Sequence, residues 1–393
     1  MRLLMLSGDR QVAIGERGPF HAMQREFSRW FERIDVLCPR PSAPQTVHVI
    51  HDRVHFHPAD VGRAGMVGWL ERRGSELLAE HGHELIVSHD YGWFYNGLAA
   101  ARLSRRRGVP YLSELHHVPG HPVAASARER FDRFVAKRYV RWARSRARAF
   151  RVVNSTEMPE LLRRWGVPEE KILVLPSLYI DLATFRPKSP ESPESPAGPT
   201  PAPAQDVVFV GRLVENKGLL TIADALGRLA RSGRPASALF IGRGPLRAAL
   251  EARLRAAGVR ERARFIDWVD GPEELAEHYR SSRVLVCAST CEGGPRVTVE
   301  AMACGTPVVS TPVGVMGELL ADGKAGRLVG FDAESLARTL GEVLGDEDLR
   351  RALGTEAHAR AQRFEAKATL RGYATGLLRL VGAREVRWGE GGA

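Results

Sequence analysis

Four charged side chains and a pair of glycines in the second half of this 393-residue chain have the types and spacing to hold a charged, hydroxyl-rich ligand. The first group is Phe209-Val-Gly-Arg-Leu-Val-Glu-Asn-Lys-Gly-Leu. Gly211 lets the chain turn sharply off a strand end. Arg212 and Lys217 then flank the start of a helix, whose free N–H groups already favour an anion. A planar guanidinium and a compact ammonium converging there suit a diphosphate better than a carboxylate. On this segment alone, a loop glycine with two solvated cations is an equal reading. The second group is Cys291-Glu-Gly-Gly-Pro-Arg-Val-Thr-Val-Glu-Ala-Met-Ala-Cys-Gly-Thr-Pro-Val-Val. Glu292, Gly293 and Gly294 form a loop after a buried strand, and a helix is expected to start near Pro295, a favoured first-turn residue. Glu300 then lies inside that helix, facing the same cleft. Two glutamates with loop amides between them can hold several hydroxyls of one ligand, since carboxylates accept from sugar hydroxyls. The blander alternatives are a favourable charge at a helix N-terminus for Glu292 and a surface glutamate for Glu300. The surrounding run is too apolar for a surface helix.

These residues need a scaffold, and the pattern around them supplies one. In the first half, short apolar runs at 2–7, 85–88, 109–115, 150–154 and 172–175 read as strands. Amphipathic stretches at 92–107 and 125–148 lie between them. In the second half, strands at 206–210, 238–241, 263–266, 284–288, 307–310 and 326–329 alternate with helical patterns at 219–231, 246–257, 272–281, 297–303 and 333–344. Continuous apolar strands alternating with helices predict parallel sheets covered on both faces. Between the halves, residues 187–204 carry proline at every second or third position. Such a segment builds neither helix nor central strand and reads as a solvated, semi-extended linker. The expected fold is α/β, two Rossmann-like doubly wound domains facing each other across a cleft. Residues 1–186 form the first domain and 205–363 the second, with 364–393 a C-terminal segment.

Composition narrows the function classes. At 26% charged and 44% hydrophobic, the chain is too ordinary for wholesale disorder, collagen or a coiled coil. No apolar run approaches the roughly 20 residues of a membrane-spanning helix. The opening Met-Arg-Leu-Leu-Met-Leu-Ser-Gly reads as a first strand and not as a secretory leader. Cys38, Cys287, Cys291 and Cys304 lack paired spacing and read as free thiols in a reducing compartment. The expected location is therefore cytoplasmic. The formal charge of +11 is concentrated: residues 102–151 hold 14 basic and 3 acidic side chains, which equals the whole excess. Such concentration points to a local anionic surface or ligand. Nucleic acid is a poor partner, because no recognised module accompanies the patch.

Glu292-x7-Glu300 followed by Ala-Met-Ala-Cys-Gly-Thr-Pro-Val-Val resembles the signature of glycosyltransferase family 4, retaining enzymes with the GT-B fold. The resemblance covers nearly the whole second half, through Gly211-Arg-Leu-x3-Lys-Gly, Ile241-Gly-Arg-Gly-Pro-Leu, 284–309 and Asp346-x2-Leu-Arg-x2-Leu-Gly. It is thinner in the first half, at Val109-Pro-Tyr-Leu-Ser-Glu-Leu-His and in the segment from Val174 to Pro187. The resemblance implies that 1–186 is the acceptor-side domain, 205–363 the nucleotide-sugar domain and 364–393 a segment crossing back to the first, that Arg212 and Lys217 grip the donor diphosphate, and that Glu300 holds the nucleotide ribose. It gives Glu292, with the amides of Gly293 and Gly294, the transferred sugar, and sets Asp267-Trp-Val269 beside the base. It also implies His116 as the active-site histidine, with His117 the fallback; a strand's C-terminal end is where active sites gather. Fixed cations facing the leaving diphosphate lower the barrier because they need not reorganise. Such a pair can replace a metal, so neither metal nor separate cofactor is expected.

Two departures stand out. Pro176-Ser-Leu occupies the place of the family's common Pro-Asn-Gly. Gly15-Glu-Arg-Gly-Pro-Phe-His replaces adjacent glycines, which leaves Gly18 as the candidate for a close backbone approach in an acceptor or phosphate loop. Within 128–151, Phe131, Phe134, Val135, Arg138 and Trp142 fall mostly on one helical stripe. The stretch is either a core-packed helix with a solvated basic face or a dock for anionic lipid headgroups on the inner face of a membrane. The expected function is transfer of a hexose from a nucleoside-diphosphate sugar to a hydroxyl of a glycan, a lipid-linked or a small-molecule acceptor, with retention. The alternatives are a GT-B-like sugar-nucleotide epimerase or phosphorylase, and a non-catalytic sugar-nucleotide or membrane-binding module.

Overall fold

The computed structural model describes residues 1–188 and 204–387. Most of the expected proline-rich linker, and the last six residues, lie outside the described residues. The first sheet contains β1 (Arg2–Leu6), β2 (Arg33–Cys38), β3 (Val49–Ile50), β4 (Val54–Pro58), β5 (Leu85–His89), β6 (Tyr111–Glu114), β7 (Ala149–Val152) and β8 (Ile172–Val174), in the order β3-β4-β2-β1-β5-β6-β7-β8. The second contains β9 (Gln205–Val210), β10 (Ala238–Ile241), β11 (Ala263–Ile266), β12 (Ser282–Cys287), β13 (Val308–Ser310) and β14 (Gly326–Leu328), in the order β11-β10-β9-β12-β13-β14. Every pairing is parallel except β3 with β4. The chain therefore has two parallel α/β sheets in two domains.

The strands read from sequence recur within two residues or so at either end, because each is a buried run. Leu3, Leu4, Met5 and Leu6 are wholly inaccessible to solvent. Three strands were not expected: β2, β3 and β4. Arg33 and Asp35 break the apolar run of β2, and His55 and His57 that of β4. The structure explains the polar residues, since Asp35 is buried and accepts from Arg33, His57 and His83 at 2.6–2.8 Å. Burial alone would raise its carboxyl, but these three partners outweigh it and hold Asp35 well below the usual carboxylate range.

The two domains share material. Leu178, Ile180 and Phe185 pack in the core of the second domain, with Leu285 and Val299. Conversely, the last helix, Ala366–Leu380, buries Leu370, Tyr373, Leu377 and Leu378 against Leu3, Phe27 and Val87 of the first. The two crossings run side by side, where the Ile180 N–H donates to the Phe364 carbonyl at 2.7 Å.

The basic helix, Ala127–Ala143, begins at a capping box: Ser126 Oγ accepts from the Glu129 N–H and the Glu129 carboxylate from the Ala125 N–H. Its buried face is Ala136, Tyr139, Val140 and Ala143, not the expected aromatic stripe. Small residues let the helix approach closely, and Tyr139 stacks on Phe94 with centroids 4.3 Å apart and donates to buried Asp90. Phe131 and Phe134 are left 52% and 55% exposed beside Trp93, which is 68% exposed. Arg151 does not belong to the basic face at all; it lies in β7, fully buried.

Candidate active site

In the second sheet the strand order reverses between β9 and β12, which lie in register side by side. Loops leaving such a switch point run to opposite sides and leave an uncovered crevice, the usual ligand site of open α/β sheets. One loop carries Gly211, Arg212 and Lys217; the other carries Ser289 to Gly294. They are stitched together, the Thr290 N–H donating to the Asn216 carbonyl at 2.8 Å and Asn216 Nδ2 to the Cys291 carbonyl at 3.1 Å. Gly218 makes this seam: it sits at φ +64°, and a Cβ there would lie 2.0 Å from the Ala288 carbonyl oxygen. Only glycine permits that approach.

Lys217 Nζ consequently meets Glu292 Oε1, which also accepts from Ser289 Oγ at 3.1 Å. The two side chains are 18% and 17% exposed, so solvent screens this pair far less than a surface ion pair. The Gly211 N–H donates to the Ile241 carbonyl at 2.9 Å, which sets the loop's departure. Arg212 is exposed. Its charge still reaches His117. Desolvation in the cleft, together with the charges of Lys217 and Arg212, holds that imidazole below the ordinary histidine range against the pull of Glu292.

Two adjoining cavities open between the domains. The first, about 390 Å³, is lined by His116, His117, Glu292, Gly293 and Gly294. The second, about 670 Å³, is lined by Trp268, Val269 and Glu300 and by residues of the first helix, Pro19–Phe27, and the last. Glu292 and Glu300 thus open onto two compartments instead of one shared wall. Arg296 and Tyr179 border both, the guanidinium 4.5 Å from the ring centroid. Glu300 is 6% exposed and accepts from the Tyr279 hydroxyl at 3.0 Å. Burial raises its carboxyl above the usual range, with Arg296 and Tyr279 opposing.

The domains meet at this point. A Cβ on Gly293 would lie 2.2 Å from the His116 carbonyl oxygen. Cys291 Sγ donates to the Val118 carbonyl at 3.1 Å, and the Gly314 N–H to Glu157 Oε2 at 2.5 Å. Gly18 plays no comparable part. It precedes the first helix in extended backbone, and a Cβ there would meet nothing within 4 Å, although Pro19 and Phe20 line the first cavity. Arg296, Tyr179, Glu114, Arg151 and Tyr373 also line the first cavity, and the sequence motifs assign a role to none of them. Arg151 carries one usable signal, an ionisable residue inside the otherwise apolar strand Ala149–Val152, whereas Glu114 ends a strand that already holds Ser113.

Two family profiles match the chain: Glycosyl transferases group 1 over residues 193–360 and Glycosyl transferase 4-like domain over residues 20–177. A D-inositol 3-phosphate glycosyltransferase of Nocardia farcinica is 33% identical over 93% of this chain and 76% of its own length. The chain belongs to glycosyltransferase family 4. It is a retaining glycosyltransferase that uses a nucleotide-sugar donor. The family is generally metal-independent and takes the nucleotide sugar as co-substrate. Another relative, the D-inositol 3-phosphate glycosyltransferase of Frankia alni, is 31% identical over 80% of both chains. Among solved structures, sucrose-phosphate synthase from Thermosynechococcus elongatus superposes with a TM-score of 0.76 at 22% identity, over 98% of this chain and 100% of that one. The Anabaena HepE protein, in complex with UDP and glucose, gives 0.70 at 21% identity, over 96% of this chain and 100% of that one. Both share the GT-B fold with this glycosyltransferase. Among its described residues no helix is long and apolar enough to cross a membrane.

Proposed function

We propose that this glycosyltransferase binds its nucleotide sugar across the two adjoining cavities and transfers the sugar to a hydroxyl of a phosphorylated polyol. The observation that carries the reading is the Lys217–Glu292 pair, set between the donor-side loops and beside His116 and His117. In this reading Lys217 and Arg212 neutralise the diphosphate. Glu292 and the Gly293 and Gly294 amides hold the sugar, and Glu300, pinned by Tyr279, takes the ribose hydroxyls. Trp268, 73% exposed beside Val269, gives the base a flat surface to stack on. His116 faces the reacting sugar. As the glycosidic bond breaks, negative charge grows on the diphosphate oxygen, where preorganised cations act most strongly. The names of the relatives support a polyol phosphate as acceptor, and the UDP in HepE makes uridine the first base to test.

A second acceptor reading has its own support. Trp93, Phe131 and Phe134 project beside Arg128, Arg130, Lys137 and Arg138, an exposed apolar strip rimmed by cations. Aromatic rings with flanking cations suit an anionic lipid surface, each basic residue contributing about 1 kcal/mol, and would bring the enzyme to a lipid-linked acceptor. One set of measurements separates the readings. The correct donor at 100 times its Kd should raise the melting temperature by about 3–5 °C among UDP-, GDP- and ADP-sugars. With that donor, inositol phosphate should be glycosylated in free solution. Turnover only when the acceptor sits in anionic vesicles, with co-sedimentation lost in Phe131→Ser/Phe134→Ser, would favour the lipid-linked substrate. No stabilisation by any nucleotide sugar would remove the donor assignment.

A further inference from the structure

Behind His116 the cavity floor is charged, although the side chains that carry the charge are withdrawn from solvent. His89, Glu114 and Arg151 stand at the C-terminal ends of β5, β6 and β7, paired in register across the sheet. Arg151 is fully buried and Glu114 is 1% exposed. Their ion pair, at 3.3 Å, is held from several sides. Arg151 Nε donates to the Leu175 carbonyl at 2.8 Å, and the guanidinium lies 3.8 Å from the centroid of the Tyr373 ring. Tyr373, on the last helix, donates its hydroxyl to Glu114 Oε1. His89 Nε2 lies 3.2 Å from Glu114 Oε2, and burial pulls that imidazole down to about 4. Burial would raise Glu114 as well, but the Arg151 guanidinium, the strongest of the groups opposing it, keeps the carboxyl ionised, well below its usual range. A buried pair of this kind is costly unless each partner is satisfied, so its position under the histidine calls for a use.

The contact that matters is Arg151 Nη1 to His116 Nε2, at 3.2 Å, within hydrogen-bond reach where Glu114 Oε2, 3.7 Å from the same nitrogen, is not. A guanidinium has donors and no acceptor. At this contact the ring nitrogen must therefore accept, which puts the imidazole proton on Nδ1. We propose that Arg151 is a positioning residue that fixes His116 in its Nδ1–H tautomer, with Glu114 and Tyr373 holding Arg151 in place. The histidine then presents one defined donor, Nδ1–H, to a ligand in the cavity it lines, already oriented before the substrate arrives. Because Tyr373 arrives on the helix that crosses back from the second domain, docking of that helix is coupled to the state of the imidazole. The catalytic consequence rests on His116 being the active-site histidine; the tautomer itself does not.

The test uses full-length enzyme with 15N-labelled histidine and two-bond 1H–15N correlations at pH 8, the His116 signals being those missing in His116→Gln. The expected spectrum has a proton-bearing Nδ1 and an unprotonated Nε2. Arg151→Lys, which keeps the charge but loses the planar fork, should move His116 toward the Nε2–H form. It should also lower kcat about tenfold with donor affinity held, as losing one hydrogen bond in the transition state does. Tyr373→Phe, which removes a single hydroxyl, should do both to a smaller degree. A wild-type spectrum with the proton on Nε2 overturns the proposal, and that measurement stands even should Arg151→Lys fail to fold. A tautomer that shifts while kcat stays put would instead overturn the role given to His116.

Discussion

Replacing Lys217 by alanine is expected to weaken nucleotide-sugar binding by about 2–4 kcal/mol, roughly 30- to 900-fold in Kd. The side chain is mostly withdrawn from solvent and anchored by Glu292. Its ammonium is thus held near the crevice without the rotamer entropy a surface lysine would lose on binding. Two effects then add in the variant. The diphosphate loses a charge-assisted donor, and the half-enclosed Glu292 carboxylate is left with Ser289 as its remaining polar partner, close to where an anion must bind. Glu300→Ala should weaken the same ligand by a similar amount through a different part, because the ribose hydroxyls lose the buried carboxylate that Tyr279 holds in place. Isothermal titration with the nucleoside diphosphate, the nucleotide sugar and the nucleoside alone separates the two, since Glu300→Ala should weaken all three. Lys217→Ala should hurt the first two ligands, and the nucleoside lacking phosphate should be bound nearly as well as by the wild type. Unchanged diphosphate affinity in Lys217→Ala would exclude the switch-point crevice as the donor site.

The second large effect is expected at Gly293. A methyl group there would stand 2.2 Å from the His116 carbonyl oxygen and 2.9 Å from its carbon, both main-chain atoms that cannot swing aside. Gly293→Ala must therefore hold the two domains apart by an ångström or so, just where the proposed donor and acceptor sides meet. A displacement of that size in a reacting assembly costs about a hundredfold in rate. We expect kcat to fall about a hundredfold, with a smaller loss of affinity for the nucleoside diphosphate because the two loops proposed to grip it stay stitched to one another. Gly294→Ala serves as the neighbouring comparison. Its methyl would meet side chains at ordinary contact distance, Leu178 at 3.4 Å and Val315 at 3.8 Å, and should lose much less. Solution scattering is the independent readout, in which Gly293→Ala should be more open than the wild type. A Gly293→Ala enzyme with wild-type kcat would mean that the apposed state is not the one that reacts.

Which parts of the site could be read in advance follows from how local each is. Gly211, Arg212, Lys217, Glu292, Gly293, Gly294 and Glu300 lie on two short segments, each bounded by an apolar strand and a helix pattern that sequence displays directly. The first domain was less legible because its strands β2 and β4 are punctuated by Arg33, Asp35, His55 and His57. The reason for those polar residues, a buried Asp35 network, spans positions up to 48 apart. The basic helix shows the same limit. Its period was visible but its phase was not, since Phe131 and Phe134 look like core and Ala136, Tyr139 and Val140 actually are.

From the order of residues alone came the alternation that makes two parallel sheets, and the charged loops that must end at their strand tips, because both depend on neighbours within about twenty positions. Folding decided what no local pattern encodes. It made Lys217 face Glu292, 75 residues away, through the pairing of β9 with β12. It split the two glutamates between adjoining cavities, and it set Arg151 under His116 with a tyrosine 259 residues beyond Glu114 closing the cluster. Pairing across a sheet and a helix returning from the other domain bring such groups together, and the free energy of those contacts depends on distance in space, which a linear chain does not record.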